Sequence, residues 1–174
     1  MGDIVVRPAQ GAEIDRSGEI AVLAYQAAGL LSESSDYVAR LRDATNRAEQ
    51  AELLVAVDGD DVVLGTVTVA AFGTPLAQIA RPGELEFRML ATDPAYRGRG
   101  IGELLTYAVM DRAAQLGCLR VVMCVDEQNT AAQRLYRRLG FVRLPDRDWS
   151  PAPEVHLHAF ERAVDGRYSP GGGR

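Results

Sequence analysis

Lysine is absent from this 174-residue chain; all 19 basic side chains are arginine. Codon bias toward arginine and alanine accounts for that. The absence still excludes one class: the Gly-x-x-x-x-Gly-Lys-Ser/Thr loop that cradles nucleoside triphosphates cannot be built. Cysteine is nearly as scarce. Cys118 and Cys124 are the two present, and they form no Cys-x-x-Cys pair, so neither a zinc ribbon nor a disulfide framework is expected. Both lie in or beside an apolar run, which predicts buried thiols. His156 and His158 alternate on one strand face, but no third ligand accompanies them, and no metal is expected. No apolar stretch reaches membrane-spanning length, no basic-then-apolar leader opens the sequence, and the start lacks the Ser or Thr of a myristoylation signal. A cytoplasmic protein without a membrane partner is the expectation. The net charge of −5 lacks the basic footprint of a nucleic-acid binder. No internal repeat is visible.

The composition is ordinary for a globular protein, with 47% hydrophobic and 25% charged residues, and the length suits one domain with its own core. Residues 1–163 read as that domain. The Gly-rich remainder, 164–174, cannot bury apolar surface and is expected to be disordered. Ile4–Arg7 reads as a first strand stopped by Pro8. An amphipathic helix follows before Gly29, and a second, capped by Ser35 or Asp36, runs on through a charged and therefore solvated stretch from Arg42 to Glu52. Leu53–Val57, an Asp58-Gly59 turn and Val62–Val69 form an antiparallel hairpin. The segment 73–83 is a loop. Glu84–Thr92 is a strand stopped by Asp93-Pro94, and Gly102–Leu116 is a helix closed by Gly117. Leu119–Val125 reads as a strand buried on both faces. Thr130–Leu139 is a helix, and Phe141–Leu144 and Val155–Phe160 are strands joined by a loop through Trp149–Pro153. Early hairpins and a later strand–helix–strand crossover imply an α+β fold with one mixed sheet.

The chemistry concentrates in Arg97-Gly98-Arg99-Gly100-Ile101-Gly102, between a strand and a helix. Glycines at alternate positions let backbone approach a ligand closely. Successive N–H groups and the helix N-terminus favour an anion, and Arg97 and Arg99 add charge at the rim. The spacing does not match the Gly-x-Gly-x-x-Gly fingerprint of dinucleotide binders. A diphosphate cradle of another kind is the reading, with a ligand-free glycine turn as the alternative.

Met89-Leu90-Ala91-Thr92-Asp93-Pro94-Ala95-Tyr96-Arg97-Gly98-Arg99-Gly100-Ile101-Gly102 resembles the acetyl-CoA-binding segment of the GCN5-related N-acetyltransferases, whose signature Arg/Gln-x-x-Gly-x-Gly/Ala is filled by Arg97, Gly100 and Gly102. Asn129–Phe141 resembles that family's second conserved segment, and the two occur at the family's order and separation. The resemblance implies the GNAT-like α+β fold: a mixed, mostly antiparallel sheet of about seven strands flanked by about four helices. It implies an acyltransferase moving an acetyl group from acetyl-CoA, as co-substrate and without a metal, to an amine acceptor. A non-catalytic acyl-CoA-binding sensor is the alternative. By position, the resemblance assigns the main chain of Leu90, Ala91 and Thr92 to the pantetheine arm and the amides of Arg97, Gly98, Arg99, Gly100, Ile101 and Gly102 to the pyrophosphate. It assigns Asn129 to the pantetheine or the neighbouring strand, and Tyr136 to the thioester sulfur as proton donor. Amine attack also needs a base. Glu84 and Glu86 share a strand face with Arg88; a general base, a substrate contact or an ion pair with Arg88 all remain open for them. Acceptor choice is expected around Tyr25 and Tyr37. The family often forms dimers, which leaves a homodimer open.

Overall fold

The computed structural model describes residues 3–31 and 36–166. At its centre is a sheet of β1 (Val5–Pro8), β2 (Glu52–Val57), β3 (Val63–Ala71), β4 (Glu84–Thr92), β5 (Arg120–Asp126), β6 (Val142–Arg143), β7 (Trp149–Ala152) and β8 (Val155–Ala163). The spatial order is β1-β2-β3-β4-β5-β8-β6, with β7 also on β8. Only β4 and β5 run parallel; the other pairings are antiparallel. The helices are α1 (Ala12–Ala27), α2 (Asp36–Arg42), α3 (Ala44–Gln50), α4 (Ile101–Gln115) and α5 (Thr130–Arg138).

The mixed α+β architecture agrees with the sequence reading, with eight strands for seven and five helices for four among the described residues. The extra helix arises at Asp43, whose side chain accepts from the Asn46 amide and starts α3 anew. The extra strand is β7, read from sequence as a loop because of Pro151. It pairs with β8 alone, and an edge strand tolerates a residue without an N–H. The expected Ser35 cap and residues 167–174 of the expected tail lie outside the described residues; Val164, placed in that tail by the sequence reading, instead donates its amide to the Leu119 carbonyl and packs against the core. Among the described residues, no helix is long and apolar enough to cross a membrane.

Period two in the strands sorts side chains onto two faces. One face buries Val67, Val69, Leu85, Phe87, Val121 and Met123 against Leu105, Val109 and Met110 of α4 and Tyr136 of α5. The other buries Val55, Val57 and Val63 against Ile20 and Ala21 of α1 and Leu41 of α2. Each fully buried aliphatic side chain contributes about 2 kcal/mol. Gly65 sets how closely α4 seats on the sheet. A Cβ there would lie 2.7 Å from Ile101 Cγ2 and 2.9 Å from the Ala91 carbonyl oxygen. The first turn of α4 therefore rests directly on β3 and β4.

Two features open the middle of the sheet. The parallel pairing of β4 and β5 covers only Glu84–Glu86 against Arg120–Val122; beyond it each strand runs on without the other. Next to that point β4 carries a bulge. Thr68 faces Arg88 and Thr66 faces Ala91, so Met89 and Leu90 together oppose Val67, and Met89 holds φ +52°. A bulge bends and twists its strand, which turns β4 away from β5 and leaves a wedge between them.

Candidate active site

The loop after β4 is built on Asp93. This buried carboxylate accepts from the Ala95 amide at 2.9 Å and from Arg16 of α1 at 2.5 Å. It thereby fixes the short 3-10 turn Pro94–Tyr96 against α1. Gly98 and Gly100 then adopt φ +76° and +74°, and a Cβ on either would meet nothing within 4 Å. Only glycine takes this left-handed backbone without strain, and the space in front of it is open. Gly102 has a packing role: a Cβ there would lie 3.2 Å from Leu135 and 3.7 Å from Leu90, so its absence admits α5 and β4 close to α4.

α4 starts at Gly100 with no side-chain cap. Its first intrahelical bond is donated by Leu104 to Gly100. The amides of Ile101, Gly102 and Glu103 precede that bond, and a helix leaves such donors without an internal acceptor. Among the described residues, no backbone carbonyl accepts from the amides of Arg97, Gly98 or Gly100 either. Arg97 is exposed at the rim, and the Arg99 guanidinium lies 5.6 Å from the centre of the Tyr96 ring. Uncommitted N–H groups at a helix N-terminus with flanking guanidiniums suit a diphosphate. The donor set and the open space above Gly98 and Gly100 fit the pyrophosphate of a coenzyme A.

Leu90 and Thr92 are half-buried and Ala91 is buried, on the part of β4 that lines the wedge. Asn129 caps α5: its Oδ1 accepts from the Ala132 amide at 3.2 Å. Gln133 donates to the Asp126 and Glu127 carbonyls and staples α5 to the end of β5. Tyr136 is 4% exposed and sits between Phe87 and Phe141, with ring centres 5.7 and 5.8 Å away. Burial pushes its phenol well above the usual range, so it stays protonated at neutral pH. Burial also pushes the Cys124 thiol up, to about 12, where no useful thiolate forms. Both cysteines were expected to be buried; both are half-exposed, Cys124 because it lies where β4 and β5 have parted.

The two glutamates are clamps on the loop 73–83. Glu84 takes a bidentate pair from Arg147, at 2.5 and 3.0 Å, and the Arg81 amide at 2.9 Å. Burial pushes the Glu84 carboxyl up, but Arg147 and Arg81 outweigh burial and hold it below the usual carboxylate range. Glu86 Oε2 accepts from the amides of Gln78, Ile79 and Ala80 at 2.7, 3.0 and 3.1 Å. There burial wins over the amides, and the carboxyl titrates above the usual range. Arg88 donates to the Leu76 carbonyl at 3.2 Å. Alternate residues of one strand thus hold one loop, and the ion-pair partner of Glu84 is Arg147, not Arg88.

The model of the Acetyltransferase (GNAT) family matches residues 20–141. The chain belongs to that family. The GNAT chain is 38% identical over 76 residues to a mycothiol acetyltransferase of Mycobacteroides abscessus, a match covering 44% of this chain and 26% of that protein. Its matches span from 17% to 33% of the length of the curated relatives. An acetyltransferase of GNAT family from Staphylococcus aureus superposes with a TM-score of 0.73 at 13% identity, over 94% of this chain and 100% of that one. The yncA protein of Salmonella typhimurium, solved with its cofactor acetyl-CoA, superposes with a TM-score of 0.64 at 23% identity, over 98% and 99%.

Within this GNAT fold the structure groups the sequence candidates into three places. Arg97–Gly102 forms the cradle, Leu90–Thr92 lines the wedge, and Tyr136 stands with the aromatic cluster beneath it. Glu86 is at the mouth of the wedge, in the last β4–β5 pair; Glu84 is two residues back and fully engaged. His158 lies 3.6 Å from Glu127, and His156 Nδ1 2.9 Å from Ser150 Oγ. Among the described residues, no group of His, Cys, Asp and Glu has metal-binding geometry. Sequence reasoning missed Asp93 as an anchor, although an acid two residues before an amide in Asp-Pro-Ala is a capping signal. It also missed Arg147, which no local pattern marks, and Arg47, which was read as solvated and is 3% exposed.

Proposed function

We propose that this chain is an N-acetyltransferase that moves an acetyl group from acetyl-CoA to a primary amine by direct attack. The observation carrying the reading is the uncapped start of α4, whose first amides precede the first intrahelical bond and which adjoins the open space at Gly98 and Gly100. Acetyl-CoA supplies the acetyl group as an activated thioester. The amides of the Arg97–Gly102 cradle would hold its diphosphate, with Arg97 and Arg99 at the rim. The edge of β4 through Leu90, Ala91 and Thr92 would take the pantetheine arm in the wedge, as a strand edge takes an extended chain.

Tyr136 is suited to give a proton to a departing thiolate, because its buried phenol stays protonated at neutral pH. Glu84 is a poor base: its proton affinity is lowered, and both its oxygens already accept from Arg147, with the Arg81 amide on Oε2 as well. Glu86, with raised affinity and one oxygen outside the amide nest, is the better candidate to receive the ammonium proton, directly or through water. The acceptor of the mycothiol acetyltransferases is not carried over, because the shared segment is only 17% to 33% of their length.

Acetyl-CoA is expected to raise the melting temperature, with NAD and ATP without effect. Amines are expected to release free CoA thiol in its presence. Tyr136→Phe should lower kcat about tenfold or more while acetyl-CoA affinity stays near wild type; full turnover in that variant removes the proton-donor role.

A further inference from the structure

On the side of the sheet opposite α4 and α5, two arginines form no ion pair among the described residues, although most arginines buried to a similar degree do. Arg7, Arg16, Arg112, Arg120, Arg138, Arg143 and Arg147 are each paired with a carboxylate. Arg47 and Arg88, one buried and one half-buried, have no carboxylate at ion-pair distance among the described residues. Arg47 spends its terminal nitrogens on the carbonyls of Arg40, Leu41 and Asp43, and its Nε is left without an acceptor. Arg88 donates to the Leu76 carbonyl and acts electrostatically on the nearby Tyr37 phenol, so the Leu76 bond uses one of the five donors a guanidinium has. Thr68 shares the face and register of Arg88, is 1% exposed, and its Oγ1 has no partner.

Glu86 is the carboxylate that Arg88 faces, and three amides already hold it. Asp43 is spent as the α3 cap, and Asp148 is bidentate with Arg143. Among the described residues, Glu86 is thus the one carboxylate shown acting on Arg88 from its own strand face, and its Oε2 is turned to amides rather than to the guanidinium. Guanidinium donors that find no acceptor are costly when taken from water, and so is a buried hydroxyl without a partner. The arrangement is accounted for if an anion occupies the place. Arg88 is also the residue at which the β4 bulge begins, beside the wedge, so a bound anion there would set its own molecule against the transfer centre.

We infer that the acceptor amine carries an anionic oxyacid group, as an α-amino acid does, and that Arg88 holds it with Tyr37 and Thr68. The inference rests on the acetyl-transfer reading and names the substrate class for it. The wedge side of the molecule supplies the amine end, and the Arg88 side supplies the anion end.

The test compares three series as acceptors: L-α-amino acids, their decarboxylated amines, and the matching 1-aminophosphonic acids. Wild type is expected to favour an acid over its decarboxylated amine by about tenfold or more in kcat/KM, the scale of one charge-assisted hydrogen bond. The phosphonates show whether the site takes a carboxylate or a larger oxyanion. Arg88→Met should collapse the acid-to-amine ratio toward one, with Arg88→Lys between. Thr68→Val guards against misfolding: it removes a buried unpartnered hydroxyl, so it should raise the melting temperature and still lower the ratio. A wild-type ratio near one, or a ratio unmoved in both Arg88→Met and Thr68→Val, overturns the inference while leaving acetyl transfer standing. If no series member is acetylated and no acid further stabilises the CoA-bound protein, the inference also fails. Absence of any acetyl-CoA stabilisation sinks the transfer reading itself.

Discussion

α4 and α5 each follow a strand of the same parallel pair, yet their N-termini are built for opposite ends. α5 begins at Asn129, whose side chain takes the Ala132 amide, and Gln133 ties the same turn to the end of β5. α4 begins at Gly100 in left-handed backbone, without a cap, and among the described residues no backbone carbonyl accepts from the amides of Arg97, Gly98 or Gly100 just before it. A side-chain cap contributes about 1 kcal/mol. One helix start is closed for stability; the other forgoes that contribution, and its donors are the ones proposed to hold the diphosphate. The same sheet shows the contrast again along β4. The amides of 78–80 are closed by Glu86, whereas the β4 edge past Glu86 is left open by the bulge and the parting from β5.

The largest expected effect comes from filling the open end. Gly100→Trp places a side chain in the space before the cradle and should lower acetyl-CoA affinity by about a thousandfold, or ~4 kcal/mol. Titration with acetyl-CoA checks this against a melting curve of the apo protein. Gly100→Asp sharpens the comparison, because its carboxylate would meet the helix dipole favourably and the diphosphate unfavourably. Unchanged affinity in both variants would mean that the two helix starts do not differ in purpose.

Removing a closed contact should act on stability instead. Glu86→Ala leaves three amides without their acceptor and is expected to cost about 3 kcal/mol; Glu86→Gln, whose carbonyl oxygen can replace Oε2, about 1 or less. Chemical denaturation separates the two. If Glu86→Gln is stable but has lost turnover, the carboxylate acts as the base as well as the clamp. Glu84 adds a pH signature. Its folded affinity for a proton is below the unfolded value, so its stabilisation is complete above the ordinary carboxylate range, roughly pH 4, and is lost as pH falls through the lower folded value. Glu86 has the reverse sign: its raised value favours the fold when protonated, and that contribution is lost as pH rises through it. Glu84→Gln should therefore flatten the acid limb of a melting-temperature profile, and Glu86→Gln should not.

Which of these differences can be read from sequence depends on how local they are. The open cradle was legible because its causes are contiguous: a strand stop at Asp93-Pro94, alternating glycines, and the start of an amphipathic helix. The hairpin around Asp58 was legible for the same reason, since its carboxylate turns the chain on the amides of Asp60 and Val62. The glutamates were legible as a shared face, but not as clamps, because Arg147 is 63 residues from Glu84. Arg47 was misread because a run of charge looks solvated in one dimension. In three, Asp43 breaks the helix, and the guanidinium folds back to take the carbonyls that end α2. The bulge at Met89 had no signal either, since it is a relation between β3 and β4 rather than a property of one strand.

The smallest expected effect tests the closed end of the comparison. Asn129→Ala removes the α5 cap and should cost about 1 kcal/mol in unfolding free energy. The resemblance to other acetyltransferases assigned Asn129 to the pantetheine arm or the strand beside it. In the structure its Oδ1 is engaged with Ala132. A cap that only stabilises α5 leaves acetyl-CoA affinity within about twofold of wild type, a difference of ~0.4 kcal/mol. Asn129→Asp and Asn129→Ser separate the roles further, because both can cap while neither retains the amide NH2 as a donor. Restored stability with restored affinity assigns the residue to α5 alone. Restored stability with affinity still reduced assigns the NH2 to the ligand, and the two helix starts would then share one task.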